Sequence, residues 1–152
     1  MRSILALPLL ALALVACGDK SPQPSSETTD SNTAAAPEIK MPHVMAFDAG
    51  HALDSLGGLL GGVTSRFNSG DTIFVSVRTQ YAAPGAKVEA VLMQGKTKVA
   101  SDQGVAGDPD ATTGVAILPF RFAGSKPWPK GSYQIEIFLD GISQGLKPLE
   151  IE

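Results

Sequence analysis

The chain has 152 residues and a formal net charge of −3 at pH 7, from 12 basic and 15 acidic side chains. A weakly acidic chain without a basic cluster lacks the electrostatic footprint of a nucleic-acid-binding protein, so we expect no nucleic-acid partner. Its single cysteine excludes an intramolecular disulfide.

The first 16 residues have the pattern of a secretory signal peptide. Arg2 is followed by an apolar run, ILALPLLALALVA, at residues 4–16. This run is 13 residues long (16 − 4 + 1), whereas a membrane-spanning helix needs about 20 residues. A short apolar run after a positive charge, ending in small residues, is typical of a secretory signal peptide. We therefore expect residues 1–16 to be removed.

Cys17 stands where the apolar run ends and a polar stretch begins. The sequence LVAC at residues 14–17 resembles the lipobox of bacterial lipoproteins. The resemblance implies that Cys17 is lipidated, becomes the first mature residue and holds the protein to a membrane. In that family an aspartate directly after the cysteine retains the protein at the inner membrane. Gly18 stands there instead, which favours the outer membrane, and we expect the domain to face the periplasm. The alternative is an ordinary signal peptide with an incidental cysteine.

Residues 17–40 are predicted to be the lipidated Cys17 and a disordered tether. Ser, Thr, Pro and charged residues dominate this stretch, and Ile39 is its only large aliphatic residue. Such a composition buries too little apolar surface to offset the entropy of ordering the chain. The remaining residues, 41–152, suffice for one domain that folds without disulfides.

Short alternating runs between glycines and prolines predict that this domain is all-β. The clearest run is residues 71–79, where Ile73, Val75 and Val77 share one face. Further strands are predicted at residues 87–93, 97–101, 114–122, 133–139 and 146–151. Pro119 predicts a bulge or an edge in its strand, and Pro148 predicts an edge strand. Asp140-Gly141 predicts a type I′ hairpin turn. The pattern favours a sandwich over a barrel.

Two stretches also suggest a family. FNSGDTIFVSVRT (67–79) and KPWPKGSYQIEIFLDG (126–141) resemble a group of bacterial exported proteins with an immunoglobulin-like domain. The shared pattern is a phenylalanine, a D-T-I strand, and W-P-x-G-x-Y before a strand that ends in a glycine turn. The Gly-rich LGGLLGGV before Phe67 departs from it. The resemblance implies an immunoglobulin-like antiparallel β-sandwich of about six to eight strands, and it implies no biochemical activity.

Two segments are candidates for contact with a partner. LGGLLGGV (56–63) is predicted to be a mobile loop that carries a small apolar patch, formed by Leu56, Leu59 and Leu60. The turn at residues 126–130 offers Lys126 and Trp128, since Trp is a common binding anchor. In the alternative interpretation, Trp128 closes one end of the core and Tyr133 bonds back to the loop, as in a tyrosine corner.

Three further motifs suggest chemistry. In MPHVM, Met41, His43 and Met45 alternate and would share a strand face, and with His51 they could bind Cu(I). DAGHALD (48–54) spaces two aspartates around His51, which would suit acid–base work if it were helical. GDPDATTG (107–114) could suggest a calcium loop, but turn chemistry explains its residues.

The sequence therefore favours a non-catalytic, lipid-anchored envelope protein that contacts another, unidentified envelope protein and needs no cofactor. The alternative is a periplasmic copper-binding protein.

Overall fold

The computed structural model describes residues 40–152. The signal peptide, Cys17 and all of the tether before Lys40 lie outside the described residues. The described part consists of ten strands: β1 (His43–Gly50), β2 (Ala52–Leu53), β3 (Leu59–Leu60), β4 (Arg66–Phe67), β5 (Ile73–Gln80), β6 (Lys87–Gln94), β7 (Thr97–Val105), β8 (Val115–Phe122), β9 (Gly131–Leu139) and β10 (Ile142–Ile151). Within residues 40–152 no helix is long and apolar enough to cross a membrane.

The seven longer strands form two facing sheets. One sheet has the order β1-β5-β8 and the other β4-β10-β9-β6-β7, while β2 and β3 pair only with each other. Strand pairs are antiparallel except for the two-residue contact of β4 with β10. Among the longer strands, the first, second and fifth form one sheet and the third, fourth, sixth and seventh the other. This is the immunoglobulin arrangement with the fourth strand paired to the third. The antiparallel β-sandwich predicted from the sequence is confirmed.

The core follows from the alternation of side chains along the strands. Ile73, Val75 and Val77 of β5 are fully buried, as the alternation predicts. β6 and β9 bury their alternating apolar sets in the same way, with Tyr133 as the largest buried side chain of β9. In β8 the buried face carries Leu118 and Phe120, which are the larger side chains. Val115 and Ile117 lie on the opposite face of this strand. Ile117 therefore faces outward.

The turn between β9 and β10 is the hairpin that the sequence predicts. Asp140 and Gly141 have φ angles of 49° and 81°, and both central residues of a type I′ turn need positive φ. The side chain of Asp140 also accepts a hydrogen bond from the backbone N–H of Lys87 at 2.8 Å. The turn is thereby fixed to the start of β6.

The sequence predicts either a bulge or an edge strand at Pro119. The structure shows an edge strand without a bulge. The partner of Pro119 in β5 is Ser76, and the register of β5 and β8 is continuous. Arg121, two residues further on, donates its N–H away from β5 to Asp102. Residues 119 and 121 have the same orientation in the strand, so the N–H that proline lacks would point to the free edge of the sheet. The proline therefore removes no hydrogen bond between β8 and β5. Pro148 likewise lies where β10 has only β9 as its partner.

Candidate functional site

Residues 52–60 form a short β-hairpin, whereas the glycines predict a loop. Ala52 and Leu53 pair with Leu60 and Leu59. Asp54 Oδ1 accepts hydrogen bonds from the N–H groups of residues 56 and 58, both at 2.8 Å, and its own N–H donates to the carbonyl of residue 58 at 2.8 Å. The hairpin was missed because glycine content does not show that the Asp54 side chain closes the turn, and the mobility of this segment stays a prediction.

The hairpin lies on the outer face of the three-stranded sheet. A Cβ on Gly57 would lie 3.3 Å from Ile117 and 3.3 Å from Pro119 of β8. Leu59 packs in the same way over Gly50, where an added Cβ would lie 2.9 Å from the leucine side chain. These glycines therefore allow the hairpin to approach the sheet closely. Leu59 is an anchor of the hairpin and is half-buried, so it offers less surface to a partner than its neighbours.

Four apolar side chains remain exposed around this hairpin. Leu56 is 78% exposed, the largest exposed fraction among the large apolar side chains of the described residues. The others are Leu60, Val63 and Ile117. We call these four residues the hairpin patch. Val63 and Ile117 also line a groove with Leu59, so these two side chains lie at the junction of β8 and the hairpin.

Charged side chains border the hairpin patch. Asp48 and Arg78 line the same groove as Ile117. Asp48 binds Lys147 of the other sheet at 2.6 Å, and Arg78 lies 3.6 Å from its second oxygen. The Asp48 carboxylate thus faces two cations. An apolar surface rimmed by charged side chains is typical of a protein contact site.

The turn at residues 126–130 follows the architectural interpretation. The Trp128 indole Nε1–H donates to the carbonyl of Asp71 at 3.0 Å, and only 8% of the side chain is exposed. The Tyr133 hydroxyl donates to the carbonyl of Pro129 at 2.7 Å, and burial raises the pKa of this hydroxyl. This is the tyrosine corner of immunoglobulin-like sandwiches. Lys126 is exposed, whereas the buried indole of Trp128 offers little surface to a partner.

The proposed copper ligands are divided between the two ends of β1. Met41 and His43 lie at its start, where His43 Nδ1 is 3.0 Å from the carbonyl of residue 41. Met45 occupies a bulge that interrupts the alternation. His51 follows the other end of the strand, and seven steps of about 3.3 Å separate the ends by roughly 23 Å. His51 therefore cannot join the other three, and copper binding by Met41, His43 and Met45 stays a prediction.

The acid–base motif does not converge. Asp48 binds Lys147, whereas Asp54 closes the hairpin turn. His51 packs on the ring of Phe67 at 4.9 Å between centroids, and its Nδ1 lies 3.7 Å from Asp71. Residues 40–152 contain no group of three His, Cys, Asp or Glu side chains that could hold a metal ion.

The aspartates of residues 107–114 build a turn, as their residue types predict. Asp110 Oδ1 accepts hydrogen bonds from the N–H groups of Thr112 and Thr113 and from the Thr113 hydroxyl, at 2.8–3.0 Å. These donors, those of Thr113 first, lower the pKa of the Asp110 carboxyl. Oδ1 of Asp110 is thereby engaged by the turn itself.

Val63 and Ile117 were not identified from the sequence. Ile117 could have been found from its strand, because Ala116, Leu118 and Phe120 form the alternate and larger apolar set. Val63 had no comparable signal, since its exposure follows from where the hairpin packs.

Comparisons with known proteins show distant likeness only. No protein-family model and no curated protein matches the chain. An immunoglobulin-like protein from Pseudomonas aeruginosa has 8% identity and a TM-score of 0.46, over 74% of this chain and 97% of that one. The CARDB domain of a Pyrococcus furiosus protein in complex with di-metal ions has 11% identity and a TM-score of 0.44, over 75% and 96%.

A Pseudomonas fluorescens alkylpurine DNA glycosylase bound to DNA has 11% identity and a TM-score of 0.46, over 73% of this chain. The chain spans 30% of the length of that glycosylase. It spans 16% of the length of a Listeria innocua β-glucosidase that is similar at 8% identity. None of these likenesses bears on ligands or activity.

Proposed function

We propose that this protein is a lipid-anchored lipoprotein of the outer membrane whose β-sandwich is a non-catalytic contact module facing the periplasm. The LVAC sequence that ends at Cys17 supports the anchor. The hairpin patch supports the contact role, and it is the observation that carries the proposal.

The hairpin patch suits protein contact because its apolar side chains are exposed and the backbone that carries them is held in place. The Asp54 turn fixes Leu56, and the packing of Gly57 on β8 fixes the hairpin against the sheet. A patch that is already ordered loses little conformational entropy on binding. Its partner is an envelope protein with a complementary apolar surface.

The engagement of the candidate catalytic groups supports a non-catalytic role. Asp48, His51 and Asp54 each have separate structural partners. An acid–base pair needs two groups within reach of one substrate atom, and these three do not share such a point.

Site-specific photo-cross-linking in intact cells tests the contact role. A photoreactive amino acid replaces Leu56, which is exposed at the tip of the hairpin. The matched control replaces Lys96, which is exposed in the turn between β6 and β7. We expect one discrete adduct from residue 56 and none from residue 96, with the partner identified by mass. Equal labelling from both positions, or none from residue 56, would contradict the contact role.

Fractionation of the Cys17→Ser variant tests the anchor. We expect the wild-type protein in the outer-membrane fraction and the variant outside it, because the variant lacks the sulfur that would carry the lipid. A variant that still fractionates with the outer membrane would refute lipid anchoring at Cys17.

A further inference from the structure

The exposed apolar side chains of the described residues include a second group, apart from the hairpin patch. Met41, Met45 and Ile142 are 69%, 50% and 67% exposed. They lie at the end of the sandwich where the described chain begins, at Lys40 and the start of β1. We call these three residues, with Lys40 and Tyr81, the tether-end patch.

Hydrogen bonds connect β1 and β10 beside this patch. The N–H of Val44, next to Met45, donates to Gln144 Oε1 at 3.1 Å. Gln144 Nε2 donates in turn to the carbonyl of Ile142 at 3.3 Å. The register of β1 shifts at Met45 and that of β10 shifts at Gln144. Met45 and Ile142 therefore both lie near this junction of the two sheets.

An aromatic ring and an amine complete the patch. The Lys40 ammonium lies 5.2 Å from the centroid of the Tyr81 ring, and the ring of His43 lies 6.3 Å from it. Tyr81 has a positive φ of 57°, an uncommon conformation for a residue other than glycine. Exposed aliphatic side chains beside Tyr and Lys are the chemistry of proteins that rest at a membrane–water interface.

We infer that the tether-end patch rests on the lipid bilayer surface. This inference rests on the proposed anchor, because the chain that leads to Cys17 leaves the sandwich at this patch. The anchor holds this end at a high effective concentration near lipid, so weak apolar insertion suffices. Asp108 and Asp110 lie in the loop at the same end of the sandwich and offset the charges of Lys40 and Lys87, so the interaction is with a zwitterionic surface and is driven by apolar contact.

The two apolar groups then have different neighbours. The tether-end patch meets lipid at the start of β1. The hairpin patch lies on the outer face of the three-stranded sheet, where Ile117 pairs with Arg78 and Arg78 pairs with Ala46, next to Met45. The two groups are therefore separated by the face of the sandwich on which they lie and not by the length of β1.

Fluorescence quenching in vesicles tests this orientation with the full lipidated protein. Cys17 is the only cysteine of the chain, and its sulfur carries the lipid in the proposed form, so a second cysteine is the only free thiol. Ile142→Cys and Met45→Cys each carry an environment-sensitive fluorophore, with Lys96→Cys as the matched control, because Lys96 is exposed in the β6–β7 turn at the opposite end of the sandwich. The vesicles contain phosphatidylcholine and phosphatidylethanolamine with a nitroxide-labelled lipid.

We expect the fluorophores at residues 142 and 45 to be quenched several-fold more strongly than the one at residue 96. Equal quenching at the three positions, in protein that floats with the vesicles, would overturn the inference and leave the anchor intact. Protein that fails to float with the vesicles would overturn the anchor and the inference together.

Discussion

The carboxylate of Asp102 in β7 accepts a hydrogen bond from the backbone N–H of Arg121 in β8 at 2.9 Å. Its other oxygen accepts the N–H of Gln103 at 2.9 Å. One side chain thus satisfies N–H groups on the free edges of both sheets, where the two sheets meet. Unpaired edge groups are templates for pairing with another chain, and an inward-pointing charge prevents this. Asp102 therefore closes one side of the sandwich and protects its edges.

We expect Asp102→Ala to lower the free energy of unfolding by about 1–2 kcal/mol, because it removes hydrogen bonds to a charged group at a partly solvated position. Urea denaturation measures this change. Asp108→Ala, in the exposed loop after β7, is the matched control and should change stability little. An equal loss of stability in the two variants would show that Asp102 acts only through its charge and not through its hydrogen bonds.

The six strands from β5 to β10 were predictable because alternation alone decides which face is buried, whereas β1 (His43–Gly50) was not among the predicted strands. Ile135 and Ile137 needed no knowledge of their neighbours to be placed inside. The hairpin at residues 52–60 was not predictable in this way, because each of its strands has two residues. Its structure depends on the Asp54 turn and on the packing of Gly57 against β8, which is distant in sequence. The prediction that His51 joins the other copper ligands is wrong for a related reason. The extended β1 separates His51 from residues that are close to it in sequence.

Gly57 supports the hairpin patch through its backbone and through its lack of a side chain. Its φ is 83°, and a Cβ would lie 3.3 Å from the side chains of Ile117 and Pro119. Gly61 has a similar φ of 78° but open space around it. A left-handed conformation costs a non-glycine residue about 1–2 kcal/mol. We expect Gly61→Ala to lose about that amount, and Gly57→Ala to lose more.

Thermal unfolding of the two glycine variants measures the difference. Cross-linking from residue 56 should also weaken in Gly57→Ala, because the hairpin would lift from β8. Equal stability of the two variants would mean that the hairpin does not need its close contact with the sheet.

Tyr133→Phe should destabilise the sandwich and change its response to alkali. The variant loses the hydrogen bond to Pro129, which contributes about 1 kcal/mol. Burial raises the pKa of Tyr133 above its ordinary value of 10.0, so the folded state favours the neutral hydroxyl. The stabilisation from this shift is fully present below pH 10.0 and is lost as the pH rises through the folded pKa.

Unfolding by urea across the alkaline range tests the Tyr133 prediction. The wild-type protein should lose more stability above pH 10.0 than Tyr133→Phe does. Tyr81→Phe is the matched control, because Tyr81 is the only other tyrosine and is partly exposed. If Tyr81→Phe and Tyr133→Phe respond alike, the buried hydroxyl is not the group that titrates.

Asp110 should make the 107–114 turn sensitive to acid. The Thr113 and Thr112 donors lower the pKa of its carboxyl below the ordinary value of 3.8. The ionised form therefore stabilises the fold above pH 3.8, and this contribution is lost as the pH falls through the lower folded pKa. Asp110→Asn keeps an oxygen for the donors but does not ionise. Its melting temperature should fall less than that of the wild-type protein on acidification below pH 3.8, measured by circular dichroism. Asp108→Asn is the control, and if it shows the same reduction, the turn hydrogen bonds are not the cause of the acid sensitivity.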